Sequence, residues 1–107
     1  MIIITLPDSN DFILSVTFEG EVFRLHFAWN DTAAFWSMGI RNDKGNIIIE
    51  RIRCVPNYPL LAQYRRPTLP KGELLCVTSA ESMGRNDFTN GKAKLVYVPE
   101  VELDGAV

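Results

Sequence analysis

The sequence has few of the residues from which catalytic and metal sites are usually built, with one histidine and two cysteines among 107 residues. Cys54 and Cys76 lie 22 positions apart and lack the close Cys and His spacing of zinc sites. We therefore expect no metal and no cofactor. Free thiols buried as small apolar groups are the favoured interpretation, and a disulfide between them is the alternative.

Long apolar runs are also missing. No run approaches the length that crosses a membrane, and residues 1–7 lack the basic region and the long apolar core of a secretory signal. We expect a protein of a soluble compartment with no membrane partner.

Catalytic patterns are missing as well. His26 shares the polar side of a predicted strand with Arg24, and the sequence places no nucleophile or orienting acid beside it. The serines lie in no nucleophile-elbow pattern, and Gly84 and Gly91 do not form a phosphate-binding loop. We expect His26 to be a surface residue, and the chain to have no catalytic, cofactor-binding or metal-binding residues and no enzymatic activity.

Short alternating runs of apolar and polar residues are what the sequence does contain. In the clearest case, residues 35–53, two such runs flank a polar loop with Asp43 and Gly45. Alternation with a period of two is typical of strands, and this loop is typical of a tight hairpin with Gly45 at positive φ. The predicted strands are residues 2–6, 12–18, 21–29, 35–41, 47–53, 73–78 and 93–98.

These strands predict an all-β fold, a small barrel or sandwich of about six to seven mostly antiparallel strands. Residues 1–99 are predicted as one domain and 100–107 as an acidic C-terminal tail. A long Pro-rich connection runs from residue 54 to 72, and residues 79–92 are predicted as a loop. Leu60, Leu61 and Tyr64 are expected to anchor the connection, and the predicted core comprises Phe23, Leu25, Phe27, Trp36, Leu75 and Tyr97.

Two isoleucine triplets, at residues 2–4 and 47–49, do not alternate with polar residues. Both faces of these strands therefore need cover, which a core of this size supplies poorly. Burial against another subunit or protein is one interpretation, and shielding by loops is the other.

The charges are unevenly placed along the chain. Residues 1–40 carry a net charge of −4, residues 41–71 of +5 and residues 72–107 of −3. The basic middle could meet an acidic end of another subunit or face a phosphate backbone, or folding could mix the charges over the surface. Arg51, Arg53, Arg65 and Arg66 with Tyr64 could form the basic, aromatic groove of a small barrel that binds single-stranded nucleic acid or a peptide. The net charge of −2 makes nucleic acid an unlikely partner.

A series of short motifs follows the first apolar strand in a fixed order: Phe12, Glu19-Gly20-Glu21, Trp29-Asn30, Trp36, Ile40, Asp43-Lys44-Gly45, Pro59-Leu60-Leu61, Pro70-Lys71-Gly72-Glu73-Leu74, and Gly91 with Leu95-Val96-Tyr97-Val98. The order and spacing of these motifs over residues 2–99 resemble the phage baseplate plug family, small structural proteins of contractile tails. Within residues 79–90 the family is expected to have an Asp-Pro pair where this chain has Asn86-Asp87-Phe88.

The resemblance implies a structural component of a phage or prophage virion, plugging or lining the distal end of the tail tube. It implies contacts with hub, tube and baseplate proteins, a homo-oligomer, and a stay in the host cytoplasm before assembly. It also implies no catalytic activity and supplies no catalytic residue.

Overall fold

Seven antiparallel strands form two open sheets in the computed structural model, which describes residues 2–64, 68–79 and 83–99. The predicted all-β class is confirmed, as a sandwich rather than a closed barrel. Residues 100–107, predicted as an acidic tail, and Arg65 with Arg66 lie outside the described residues. The elements are β1 (Ile2–Ile4), β2 (Asp11–Phe18), β3 (Glu21–Asn30), β4 (Phe35–Asn42), β5 (Ile47–Arg53), a 3₁₀ turn (Ala62–Tyr64), β6 (Glu73–Thr78), α1 (Asp87–Asn90) and β7 (Ala93–Val98).

The larger sheet has the strand order β2-β3-β4-β5, in which consecutive strands are joined by short turns. The β2–β3 turn is made by Glu19 and Gly20, both at positive φ (53° and 85°), as in the mirror-image turns that suit twisted strands. On β3, Phe23, Leu25 and Phe27 are buried while Arg24 is exposed, as the alternation predicts.

The smaller sheet has the order β1-β7-β6, so the first and last strands of the fold pair with each other. The Pro-rich connection runs along the outer edge of β6, where the Asn57 and Leu60 amides donate to the Cys76 and Leu74 carbonyls at 2.7 and 3.0 Å. Leu60 and Leu61 are buried as expected, and Tyr64 packs against the core at its margin. This arrangement closes an edge that would otherwise offer free ladder groups.

The core lies between the sheets and contains five of the six residues predicted for it, namely Phe23, Leu25, Phe27, Trp36 and Tyr97. The prediction for Leu75 is wrong. Leu75 is only half-buried, because its neighbours Leu74 and Cys76 take the inward-facing positions of β6. Successive side chains of a strand point to opposite faces, so Leu75 lies on the outer side.

Two other local predictions need correction. β1 ends at Ile4 rather than at residue 6, and Leu6 leaves the strand to enter the core. The predicted loop 79–92 contains one helical turn, α1, which ends at Gly91 in the left-handed conformation. Glycine is favoured there because it has no Cβ to strain.

The β4–β5 hairpin turns through Gly45 at φ +87°, as predicted. The side chain of Asn42 accepts hydrogen bonds from the Lys44 and Asn46 amides at 3.0 and 2.9 Å, which fixes the loop. A Cβ at residue 45 would also lie 3.4 Å from a terminal nitrogen of Arg24.

Gly45→Val should therefore destabilise the protein by about 1–3 kcal/mol, because a β-branched residue is strained at positive φ. Urea unfolding of the variant and the wild type measures the difference. Unchanged stability would contradict the turn geometry.

Candidate protein-binding surfaces

The apolar edge strand β1 is open to solvent. Ile2 and Ile3 are 45% and 59% exposed. Ile3 pairs with Val96 of β7, which pairs with Leu75 of β6, so these three side chains lie in one row on the outer side of the smaller sheet. Val77, 43% exposed, lies on the same side. We call Ile3, Leu75, Val77 and Val96 the apolar outer face, in which Val96, on the central strand, is itself only 3% exposed.

The second isoleucine triplet lies on β5, the edge strand of the larger sheet. Ile47 is 56% exposed, Ile48 is half-buried and Ile49 is buried. Ile47 thus remains uncovered, like Ile2 and Ile3. Loops do not shield either triplet fully.

The outer side of the larger sheet carries four arginines, which we call the cationic face: Arg24, Arg41, Arg51 and Arg53. Arg24 and Arg41 are directly opposite each other on β3 and β4. The guanidinium of Arg41 lies 3.9 Å from the Glu50 carboxylate, and that of Arg53 lies 4.6 Å from the centre of the Phe35 ring. Within the described ranges, Arg24 and Arg51 form no ion pair.

A shallow cup of about 290 Å³ opens on this side of the sheet. Its floor contains Ala28, Ser37 and Gly39, whose side chains are short or absent, and His26, Glu50 and Arg51 stand around it. We call this depression the cup.

A β-bulge shapes the rim of the cup. Met38 pairs with Ile52 and Ile40 with Ile49, so Glu50 and Arg51 together oppose Gly39. Arg51 takes a left-handed conformation at φ +61°. A Cβ on Gly39 would lie at an ordinary van der Waals distance, 3.4 Å, from the Ile49 carbonyl oxygen.

His26 lies beside an acid that sequence reasoning missed. Its Nε2 is 2.7 Å from Oδ1 of Asp11 across the β2–β3 pair. The partner follows from strand register, since Asp11 and Ile13 lie opposite Ala28 and His26. Among the residues that the structure describes, no serine or cysteine side chain bonds His26, so the geometry gives a hydrogen-bonded His–Asp pair without a nucleophile.

The two cysteines are free and buried, as predicted. A hydrogen bond with Cys76, followed by burial and by the charge of that neighbour, raises the pKa of the Cys54 thiol well above its usual range. A thiol that resists ionisation is a poor nucleophile and a poor metal ligand. In residues 2–64, 68–79 and 83–99, no group of three His, Cys, Asp or Glu side chains could hold a metal ion.

The groove proposed for nucleic acid or a peptide gains no support. Tyr64 packs against the core instead of offering a free ring, and Arg65 and Arg66 lie outside the described residues. None of the described helices is long and apolar enough to cross a membrane.

A match to a known protein family covers almost the whole chain. A family model described as "Cyanophage baseplate Pam3 plug gp18" matches residues 1–100. No curated protein matches the chain. The matched range includes both edge strands with exposed isoleucines and the whole of the cationic face.

Proposed function

The chain belongs to the cyanophage baseplate plug family, structural parts of the phage tail baseplate, and we propose that it closes or lines the distal end of the tail tube. It acts there through protein contacts with hub, tube and neighbouring baseplate proteins, as a homo-oligomer and without enzymatic activity. It is held in the host cytoplasm before the tail assembles, and its gene belongs to a phage or a prophage.

The exposed isoleucines are the observation that carries this proposal. Ile3 on β1 and Ile47 on β5 are more than half exposed and lie on edge strands of different sheets. Fully burying a side chain of this size contributes about 1.5–3 kcal/mol, and a solitary subunit leaves roughly half of that gain unrealised at each of the two residues. Two separate apolar edges allow each subunit to contact two neighbours, as closed rings require.

Ile47→Asp should abolish assembly while leaving a folded subunit, because the charge falls on an exposed edge that becomes buried only in the assembly. The readouts are virion assembly in a host that carries the variant gene, and sedimentation of the purified protein with its tail proteins. Ile49→Asp provides the contrast, since Ile49 is 8% exposed and a charge there should unfold the subunit itself.

Tyr58→Asp is the matched control, because Tyr58 is 62% exposed on the Pro-rich connection, outside both isoleucine triplets and outside the strands that carry the arginines of the larger sheet. It should leave assembly intact. Normal tails from the Ile47→Asp gene, with a wild type that stays monomeric beside its tail proteins, would contradict the assembly function. Binding to single-stranded DNA that weakens steeply with salt would then favour the binding-module alternative.

A further inference from the structure

Among the described residues, the cationic face contains more positive charge than the neighbouring carboxylates neutralise. Arg24 and Arg41 stand opposite each other in an antiparallel pair, a placement that destabilises a sheet unless an anion lies nearby. In the part of the chain that the structure describes, Glu50 supplies the carboxylate that pairs with Arg41, at 3.9 Å. The other acid on this side, Asp11, is engaged by His26.

The cup provides a depression beside these arginines into which the side chains of a bound segment can fit. With a floor of Ala28, Ser37 and Gly39 it has room for the ends of a few side chains, and it is open to a chain laid across it. Arg51 stands at its rim in a left-handed conformation, which costs about 1–3 kcal/mol for a residue other than glycine. Arginine binds a carboxylate through two parallel hydrogen bonds, so carboxylates are the groups that this rim recognises best.

An occupant of matching chemistry is present in the sequence. Residues 100–104 read Glu-Val-Glu-Leu-Asp, so three acids alternate with two apolar residues. Such an alternation brings the acids to one side of any segment that is extended. Three carboxylates would face four arginines, of which Arg41 already has a partner in Glu50.

We infer that the cationic face binds the acidic segment 100–104 of a second copy of this chain. This inference rests on the proposed assembly function and adds a charged contact to its apolar ones. The carboxylates of Glu100, Glu102 and Asp104 pair with Arg51 at the rim of the cup and with Arg24, which lies next to His26 on the same side of β3. The contact is directional, because one copy supplies the face and the other supplies the segment.

A charge swap on the full-length protein tests this contact. One variant, Arg24→Glu with Arg51→Glu, makes the face acidic, and the other, Glu100→Lys with Glu102→Lys, makes the segment basic. Each variant alone should weaken self-association by about tenfold or more at low salt, measured by sedimentation equilibrium. An equimolar mixture should recover the association, because the acidic face of one variant meets the basic segment of the other.

Two controls separate this contact from other effects. Lys92→Glu changes an exposed cation outside the cationic face and should leave self-association unchanged. Salt should weaken the wild-type association, since exposed ion pairs are screened, whereas a purely apolar contact would not weaken. Circular dichroism of each variant checks that the subunit is folded.

A mixture that associates no better than either variant would overturn the inference. So would a wild type that is monomeric at every concentration, which would mean that the segment binds its own molecule or nothing. Either result leaves the assembly function standing if Ile47→Asp still blocks virion assembly.

Discussion

Replacing Trp36 by alanine should lower the free energy of unfolding by about 3–5 kcal/mol, the range for deleting a large aromatic side chain from a core. Trp36 is 2% exposed. Its ring lies between Phe12 and Phe88, with centroids 6.0 Å away in each case, and Trp29 at 5.5 Å. The cavity would thus be lined by groups from β2, β3 and α1, which cannot all move inward to fill it.

The loss should come from packing and not from a hydrogen bond. The buried Nε1 of Trp36 has no hydrogen-bond partner among the described residues, so Trp36→Phe should cost less than Trp36→Ala. Urea unfolding measures both variants. Tyr58→Ala is the control, because Tyr58 is 62% exposed and its removal should change stability little. An unchanged melting temperature for Trp36→Ala would place this indole on the surface.

The region around Trp36 also holds α1 in place. The guanidinium of Arg85 lies 5.7 Å from the centre of the Trp36 ring and bonds Oδ1 of Asp8 at 3.0 Å. It also bonds Asn10, on the loop that leads into β2. The cavity left by Trp36→Ala would remove the surface on which this arginine rests, so α1 should loosen before the sheets separate.

The larger sheet could be predicted from the sequence because the signals that specify its strands and turns lie within short stretches of the chain. Alternation marks which residues of β3 face inward, and Gly20 and Gly45 mark the turns that join its strands. Consecutive strands joined by short turns pair with each other, so the order β2-β3-β4-β5 follows directly. The exact strand ends depend on individual hydrogen bonds between strands, which is why β3 ends at Asn30 and not at residue 29 as predicted.

The smaller sheet could not be predicted in the same way. β1 and β7 pair across nearly the whole chain, and no local pattern encodes that contact. β6 contains Leu74, Leu75, Cys76 and Val77 in succession, so its sequence does not mark which side faces the core. The error at Leu75 has this origin.

Some features of the binding surfaces could also be predicted from the local sequence, and others depend on how the strands pair. The exposure of Ile3 and Ile47 follows from the failure of alternation, which the sequence displays. The His26–Asp11 pair and the bulge opposite Gly39 depend on register, so they become visible only when the strands are aligned. The uneven charge along the chain indicated a basic surface but not its position on the outer side of one sheet.

Tyr97 ties the two sheets together at the end of the sandwich near the β2–β3 turn. Its ring stacks on Phe18 with centroids 3.9 Å apart and planes at 7°. Its hydroxyl accepts a hydrogen bond from the Gly72 amide at 2.8 Å and donates one to Oε2 of Glu19 at 2.6 Å. The backbone at residue 72 must therefore approach Tyr97 closely.

Gly72→Ala should destabilise the protein by about 3 kcal/mol or more, because overpacking at a site with no free space forces the backbone to move. A Cβ at residue 72 would lie 2.2 Å from the Val98 carbonyl oxygen and 2.6 Å from the Tyr97 ring and hydroxyl. Relief requires β6 to shift from β7 or Tyr97 to leave Phe18, and either movement breaks contacts between the sheets.

Gly84→Ala is the matched control for this substitution. The nearest group to a Cβ at residue 84 is the Asp87 carboxylate, at an ordinary 3.4 Å, and the backbone there is not left-handed. The same added methyl group should thus change stability by less than about 0.5 kcal/mol. Chemical unfolding of both variants makes the comparison. Equal losses would mean that the close approach of residue 72 to Tyr97 does not limit the fold, and that the sheets are held together chiefly by the core around Trp36.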